Sequence, residues 1–335
     1  MSDRLAQQHG LSLRVCGIAT LRHGAIFDAA GVDAVRAAHA IESGSALHAD
    51  RRAGAEIIEG GALELIERLS SVASDGSAAR VLIETTPLNV QTGQPAINHV
   101  ERALERGLHV VTANKGPVAI RWKELDRAAR ERGVSFLFEG AVMDGIPVFN
   151  FVRETLPAVT ITGFRGVLNS TTNHIITALE DGGEFGQALE AMQQAGIAEA
   201  DPSLDVDGWD AAAKAAALAN VLMGADLTPA AVVRTGIRGL GGADVRAAAA
   251  RGTRIRLVAS AGAAGARVEP VALPAADPLA QLRGMANAVI LETDLLGEVA
   301  VTQLTGGLTQ TAYALVSDLT TVARRIRPGP GAPVR

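Results

Sequence analysis

Between residues 13 and 137 short apolar runs alternate with helix-forming stretches, and this alternation decides most of what the chain can become. LRVCGIA (13–19), RVLIET (80–85), LHVVTA (108–113) and VSFLFEG (134–140) read as strands. ALELIERLS (62–70), PAINHVERALERG (95–107) and RWKELDRAARERG (121–133) read as helices, the last two ending at a Gly. Continuous apolar runs mark strands buried on both faces of a parallel sheet, and Gly just past a helix is its favoured stop. The pattern predicts an α/β fold with a Rossmann-like, doubly wound sheet.

A nucleotide domain of that kind opens with a strand, a Gly-rich phosphate turn and a helix. MSDRLAQQHG reads instead as the tail of a helix, and 13–19 as the second strand of such a sheet. Gly17 and Gly24 are too far apart to form a GxGxxG turn. The expectation is therefore a dinucleotide-binding domain over 1–140 whose first strand is missing. Beyond it the texture changes to helices near 145–156, 171–181, 184–195 and 210–223 and a strand near 158–169. TRIRLVAS (253–260), ARVEPVAL (266–273) and NAVILETDLL (287–296) follow as antiparallel strands. This predicts an α+β substrate and dimerisation domain over 141–308, a C-terminal helix over 309–325 packing back on the first domain, and a disordered Pro/Gly tail over 326–335.

Composition narrows the chemistry. A net charge of −5, a pI near 5.8 and no basic block longer than the run at 324–327 give no electrostatic footprint for nucleic acid. A single cysteine, Cys16, rules out an internal disulfide or a Cys-cluster metal site and fits a reducing cytoplasm. No apolar run approaches the roughly 20 residues that span a bilayer, so no membrane partner is expected. Small-molecule chemistry remains. Of 31 basic residues only Lys115, Lys123 and Lys214 are lysines, so any task needing a titratable amine has three candidates.

Two of these lie in polar clusters. In EADPSLDVDGWDAAAK, Glu199, Asp201, Asp205, Asp207 and Asp210 precede Lys214, and Asp210 and Lys214 share a helix face at i, i+4. A capped helix with a solvated ion pair and a lysine held among carboxylates as a proton donor both fit this spacing. TANKGPVA (112–119) puts Asn114 and Lys115 at the carboxyl end of a strand, where open α/β sheets bind ligands, and Thr85, Thr86 and Pro87 end the preceding strand at the same rim. LNSTTNHIITALE puts Ser170, Thr171 and Thr172 at a helix start, which serves equally as an N-cap or as a carboxylate cradle. His174 reads as a packing residue, and no histidine pair has metal-ligand spacing.

TANKGP, EGAVMDGIPVF, GVLNSTTNHIITALE, AEADPSLDVDGWDAAAK and GGLTQTAYALVSDL, in this order, resemble homoserine dehydrogenase from about residue 15 to 325. The resemblance implies reduction of aspartate 4-semialdehyde to homoserine with NADPH or NADH, on the route to threonine, methionine and isoleucine, in a homodimer or homotetramer. It makes Lys214 the catalytic lysine, Asp210 its partner and Lys115 a second active-site lysine close to nicotinamide and substrate. Glu199 and Asp205 would bind the substrate's amino group and hydroxyl, and Ser170 and Thr171 its carboxylate. Thr85, Thr86 and Pro87 would form the nicotinamide-side rim, and Glu139 with the backbone of Val142, Asp144 and Ile146 a monovalent cation site. ValMetAsp replaces a Gly-rich run in that last segment, and Ser170 replaces a more frequent Gly. After the strand ending near Ala19 the chain reads ThrLeuArgHis, so Arg22 is positioned to accept a 2′-phosphate, favouring NADP over NAD. A non-catalytic homologue that keeps the pocket but has lost cofactor binding is the alternative from another class, and a dehydrogenase of a different semialdehyde is a third reading.

Overall fold

The apolar runs and Gly-ended helices of the first half form largely where their periodicity places them. The structure, a computed structural model, describes residues 2–49, 54–72, 78–194, 196, 198 and 201–326. Its first half runs α1 (Ser2–His9), β1 (Gly17–Thr20), β2 (Gly24–Phe27), α2 (Ala34–Glu42), β3 (Glu56–Ile57), α3 (Gly61–Ser71), β4 (Val81–Glu84), α4 (Ala96–Glu105), β5 (His109–Thr112), α5 (Lys115–Glu131) and β6 (Phe136–Leu137). The second continues α6 (Phe149–Thr155), β7 (Ile161–Val167), α7 (Ser170–Glu180), α8 (Phe185–Gln194), α9 (Ser203–Val206), α10 (Trp209–Met223), β8 (Val233–Arg234), α11 (Gly242–Ala250), β9 (Thr253–Gly262), β10 (Gly265–Pro274), β11 (Asn287–Thr293), β12 (Gly297–Gln303) and α12 (Leu308–Ile326).

β4, β5 and β6 make a parallel sheet, with Val81 opposite His109 and Val110 opposite Phe136. The strand expected over 13–19 does not join it. It turns back at Gly24, in the left-handed region, into β2, and the two pair antiparallel with β3 beyond. The GAIF segment escapes a pattern reading because four residues are too few to show a period. α3 packs on β1, on β2 and on α4, so one helical layer spans both small sheets. Among the described residues nothing pairs with the outer edges of β1 or β4, and Ile83 in mid-strand is left 46% exposed.

The second half is α+β: one six-stranded sheet in the order β12-β11-β7-β9-β10-β8, antiparallel except for the short β8 alongside β10. A single apolar core runs through both halves, joining Val110 and Phe138 to Leu168, Ile175, the alanines of α10, Leu257 and Val289. α12 lies along the 139–145 segment. Thr311 donates to the Asp144 carboxylate (3.2 Å), Ala314 faces Gly140, and Asp318 accepts the Glu139 N–H (2.8 Å), all at the 3–4 residue spacing of one helix face. Further along, Leu319 and Val322 bury Val111 and Leu137 of the parallel sheet. Of the tail expected from 326, all but Ile326 lies outside the described residues.

The carboxyl end of α7 is held by a buried ion cluster. Arg256, wholly buried, donates to the carbonyls of Leu282 (3.0 Å) and Ala280 (2.8 Å) and to Glu180 (3.0 Å), which Arg254 also reaches at 3.0 Å. Arg256→Met leaves those carbonyls without their donor. We expect it to lower unfolding free energy in a denaturant titration by about 3–5 kcal/mol; a loss below about 1 kcal/mol would show that the cluster contributes little.

Candidate active site

Three helix starts meet at one point, and two of them bring a polar side chain that their own first turn uses as a cap. α5 begins at Lys115, six residues earlier than the 121–133 pattern indicates, since Asn114 caps it by accepting from Gly116 N (2.8 Å), and Pro117 sits in the first turn, where no N–H is needed. The cap of α7 is Asn169, whose Oδ1 accepts from Thr172 N (2.8 Å). α10 starts after Gly208, at φ 79°, a value that favours glycine and lets the chain reverse from α9 so that Asp210 falls in the helix's first turn.

Asp210 is the hub. Its Oδ2 lies 3.0 Å from Lys214 Nζ and its Oδ1 3.3 Å from Lys115 Nζ, and Asn169 Nδ2 donates to it at 2.9 Å. The same Asn169 amide donates to Asp205 at 2.6 Å, and Lys214 also donates to Leu168 O at 2.6 Å. Asp210 and Lys214 are each only 14% exposed, and Lys115 20%. Burial alone would raise the Asp210 pKa, but the two ammonium groups outweigh it and hold the carboxyl well below its ordinary range. For Lys214, burial works against the charge, and Asp210, with Asp144 and Asp205 behind it, overcomes this and lifts the pKa. Asp205 moves the other way: burial and the Asp210 charge push it up, although Asn169 and Thr171 donate hydrogen bonds to it. The result is a protonated lysine held in place beside a carboxylate, with a second lysine across from it.

A second network fixes the sheet rim. Asn114 Nδ2 donates to Thr86 O (2.7 Å) and Pro87 O (3.3 Å), tying the end of β4 to that of β5. Behind them the buried Glu84 accepts from Thr86 N (3.0 Å), from the Thr86 hydroxyl and from the Thr112 hydroxyl (3.1 Å), with His99 Nδ1 3.7 Å away. Thr85, Thr86 and Pro87 follow β4 directly at the same rim as Lys115.

The structure thus brings together Lys214, Asp210, Lys115, Asp205 and Thr171, with Ser170 beside them accepting from Asn287 Nδ2 (2.8 Å). Glu199 lies outside the described residues. Arg22 stands apart, exposed in the β1–β2 turn. Glu139 is buried, and its oxygens accept the N–H groups of Val148 (2.6 Å), Phe149 (2.9 Å) and Asn150 (2.7 Å), so it caps α6. The Asp144 carboxylate accepts from Gln303 (2.8 Å), Gly307 N (3.1 Å) and Thr311, pinning the loop before α12, with its own backbone at φ 47°. No group of three or more His, Cys, Asp or Glu side chains among the described residues could hold a metal ion. The motif reading missed Asn169 and Glu84. The signal for Glu84 was present: a lone charge inside the apolar run RVLIET has to find buried donors.

Comparison with known proteins identifies the family. Residues 147–320 match the family model described as homoserine dehydrogenase, and residues 5–139 the one described as homoserine dehydrogenase, NAD binding domain. An NAD(+)-dependent homoserine dehydrogenase from Pseudomonas canavaninivorans is 38% identical over 315 residues, covering 92% of this chain and 86% of its own length. A putative homoserine dehydrogenase from Archaeoglobus fulgidus superposes with a TM-score of 0.79 at 29% identity, over 96% of this chain and 94% of that one. A hyperthermophilic archaeal homoserine dehydrogenase in complex with NADPH gives 0.76 at 29% identity, over 96% and 92%. The fold class expected from the sequence is the one these neighbours share, and the rival of a non-catalytic homologue is not favoured. The chain belongs to the homoserine dehydrogenase family of oxidoreductases and carries that family's NAD-binding domain.

Proposed function

We propose that the protein reduces L-aspartate 4-semialdehyde to L-homoserine with Lys214 as proton donor, in the biosynthesis of threonine, methionine and isoleucine. The observation that carries this reading is the Lys115–Asp210–Lys214 bridge at the meeting of three helix starts. An aldehyde accepting hydride becomes an alkoxide, and a fixed ammonium at that oxygen both stabilises the developing charge and delivers the proton. Asp210 keeps Lys214 charged and aimed, and Asn169 orders Asp210 and Asp205 together. Asp205 and Glu199 hold the substrate's ammonium and hydroxyl, while Ser170 and Thr171 offer the N-terminal N–H groups of α7 to its carboxylate.

The sheet rim fits the nicotinamide end of a dinucleotide: Thr85–Pro87 and Asn114–Lys115 end adjacent parallel strands, the place where such ligands bind. When bound, the reduced nicotinamide supplies the hydride. No strand leads directly into a Gly-rich phosphate turn and helix among the described residues. We assign NADP over NAD because the β1–β2 turn carries Arg22 and no carboxylate. Arg22→Ala should cut the preference for NADPH over NADH by about 10- to 100-fold, the loss of one charged contact to phosphate; an unchanged ratio rejects that contact. The reading gives no step to a monovalent cation at Glu139, Val142, Asp144 and Ile146, since Glu139 is engaged as a helix cap. Leu295, Leu296, Leu304, Leu308 and Tyr313, all exposed, support a homodimer or homotetramer. No helix among the described residues is long and apolar enough to cross a membrane, and we place the enzyme in the cytoplasm.

The test is semialdehyde-dependent oxidation of NADPH and NADH by this chain and by an N-terminally extended one. Oxidation by either supports the reading. Homoserine binding without oxidation by both supports the non-catalytic homologue, and faster turnover of another amino-acid semialdehyde supports the third reading.

A further inference from the structure

The two lysines of the site sit on different helices, so their separation depends on how α5 and α10 lie against each other. Seven of the fifteen residues of α10 are alanines, Ala211, Ala212, Ala213, Ala215, Ala216, Ala217 and Ala219, all 2% exposed or less, and the helix packs directly on α5. Alanine methyls set how closely two helices approach but raise only shallow ridges, which resist sliding poorly. A slide of a single residue's rise, about 1.5 Å, would break the 3.3 Å contact between Lys115 and Asp210.

Besides the Asp210–Lys214 pair, a further polar side chain of α10, buried, reaches α5. Asn220, 3% exposed, donates from Nδ2 to the carbonyls of Val118 (3.4 Å) and Ala119 (3.3 Å) in α5 and of Leu227 (2.9 Å), while its Oδ1 accepts from Leu227 N (2.8 Å). α5 is prepared for this. Its backbone leaves helical values at Arg121 (φ −134°, ψ 26°), and the two carbonyls that take Asn220 lie just before the break. A buried amide that reaches two carbonyls of α5 at this register, while Leu227 holds its other bonds, ties α5 to α10 in the way a lone buried Asn specifies register between coiled helices.

We propose that Asn220 is a positioning residue for the reaction: its amide fixes the axial register of α5 against α10 and so holds Lys115 at Asp210. The proposal rests on the reading above, in which Lys115 and the Lys214–Asp210 pair act on the substrate. Its test uses the full chain with Asn220→Leu, which keeps the volume and removes the donors, and Asn220→Ser as the milder variant should the first not fold. Each is made alone and together with Lys115→Met.

We expect Asn220→Leu to lower kcat by about 10- to 100-fold, the scale set by displacing a reacting group by about 1 Å. In the Lys115→Met background the same change should cost less than about 2-fold, because the group it positions is gone. Hydrogen exchange of the amides over 116–122 should quicken at least about 10-fold while the six-stranded sheet keeps its protection. Equal fold-losses in the two backgrounds overturn the proposal, showing a general structural cost. Unchanged exchange over 116–122 overturns the register role alone. Unchanged turnover in Lys115→Met overturns the reading of the site, and the proposal with it.

Discussion

Lys214→Ala is expected to lower kcat for semialdehyde reduction by about 10³-fold or more while leaving dinucleotide binding within about 2-fold. The loss combines general acid catalysis, about 10²- to 10⁴-fold, with the charge that stabilises the forming alkoxide. Lys214 reaches neither solvent nor a rim ligand freely: it is 14% exposed, paired with Asp210 and bonded to Leu168 O, so its removal touches the substrate side and not the dinucleotide. Lys214→Arg keeps the charge and is still expected to be poor. A guanidinium holds its proton far above working pH, and its planar fork does not fit where a compact ammonium bonds one carbonyl and one carboxylate. Steady-state rates with semialdehyde and NADPH, beside fluorescence titration of the dinucleotide, check both. Near-wild-type kcat in Lys214→Ala removes the proton-donor role; full activity in Lys214→Arg reduces that role to charge alone.

Asp210→Asn is the second large effect, about 10²-fold in kcat, and its signature is a moved pH profile. Asp210 lifts the Lys214 pKa against the burial that lowers it. Without the carboxylate, burial acts with only Asp144 and Asp205 to oppose it, and the nearby Lys115 charge adds to it, so the lysine releases its proton at lower pH. In the proposed mechanism reduction requires the protonated lysine, so its basic limb should shift to lower pH. Oxidation of homoserine requires the free amine, so its acidic limb should shift the same way, and the variant should be relatively better in that direction near neutrality. Rates in both directions across pH measure this. A basic limb that stays in place would show that Asp210 acts only as a scaffold.

The parts of the site legible in the sequence are those fixed by short-range spacing. The i, i+4 step from Asp210 to Lys214, and the position of Asn114 and Lys115 right after an apolar strand, are local facts, and the structure realises both. The hub itself was not legible in the spacing, and only the family resemblance put Lys115 in one site with Asp210 and Lys214. Lys115 and Asp210 are far apart in the chain, and what brings them together is the packing of the alanine-rich α10 on α5, which no local spacing announces. Asn169 was hidden for a related reason: a residue that caps a helix gives the same signal whether or not its amide also orders two carboxylates. β2 and β12 went unread, the first too short for a period and the second too exposed to stand out as apolar. The start of α5 was misplaced because Lys-Gly-Pro looks like a turn, while in a first turn all three residues are tolerated.

The seat of α12 has a consequence for how the protein is made. The helix contributes Leu319 and Val322 to the cluster that covers Val111 and Leu137, so a ribosome must add nearly two hundred further residues after those strands before their cover exists. Until then the parallel sheet is expected to carry a bare apolar face, together with an edge of β4 that nothing among the described residues pairs, and contacts of such long sequence separation form slowly. Synthesis is therefore expected to pass through a stage that exposes this face, and a chain stopped before α12 should aggregate more readily than the finished one.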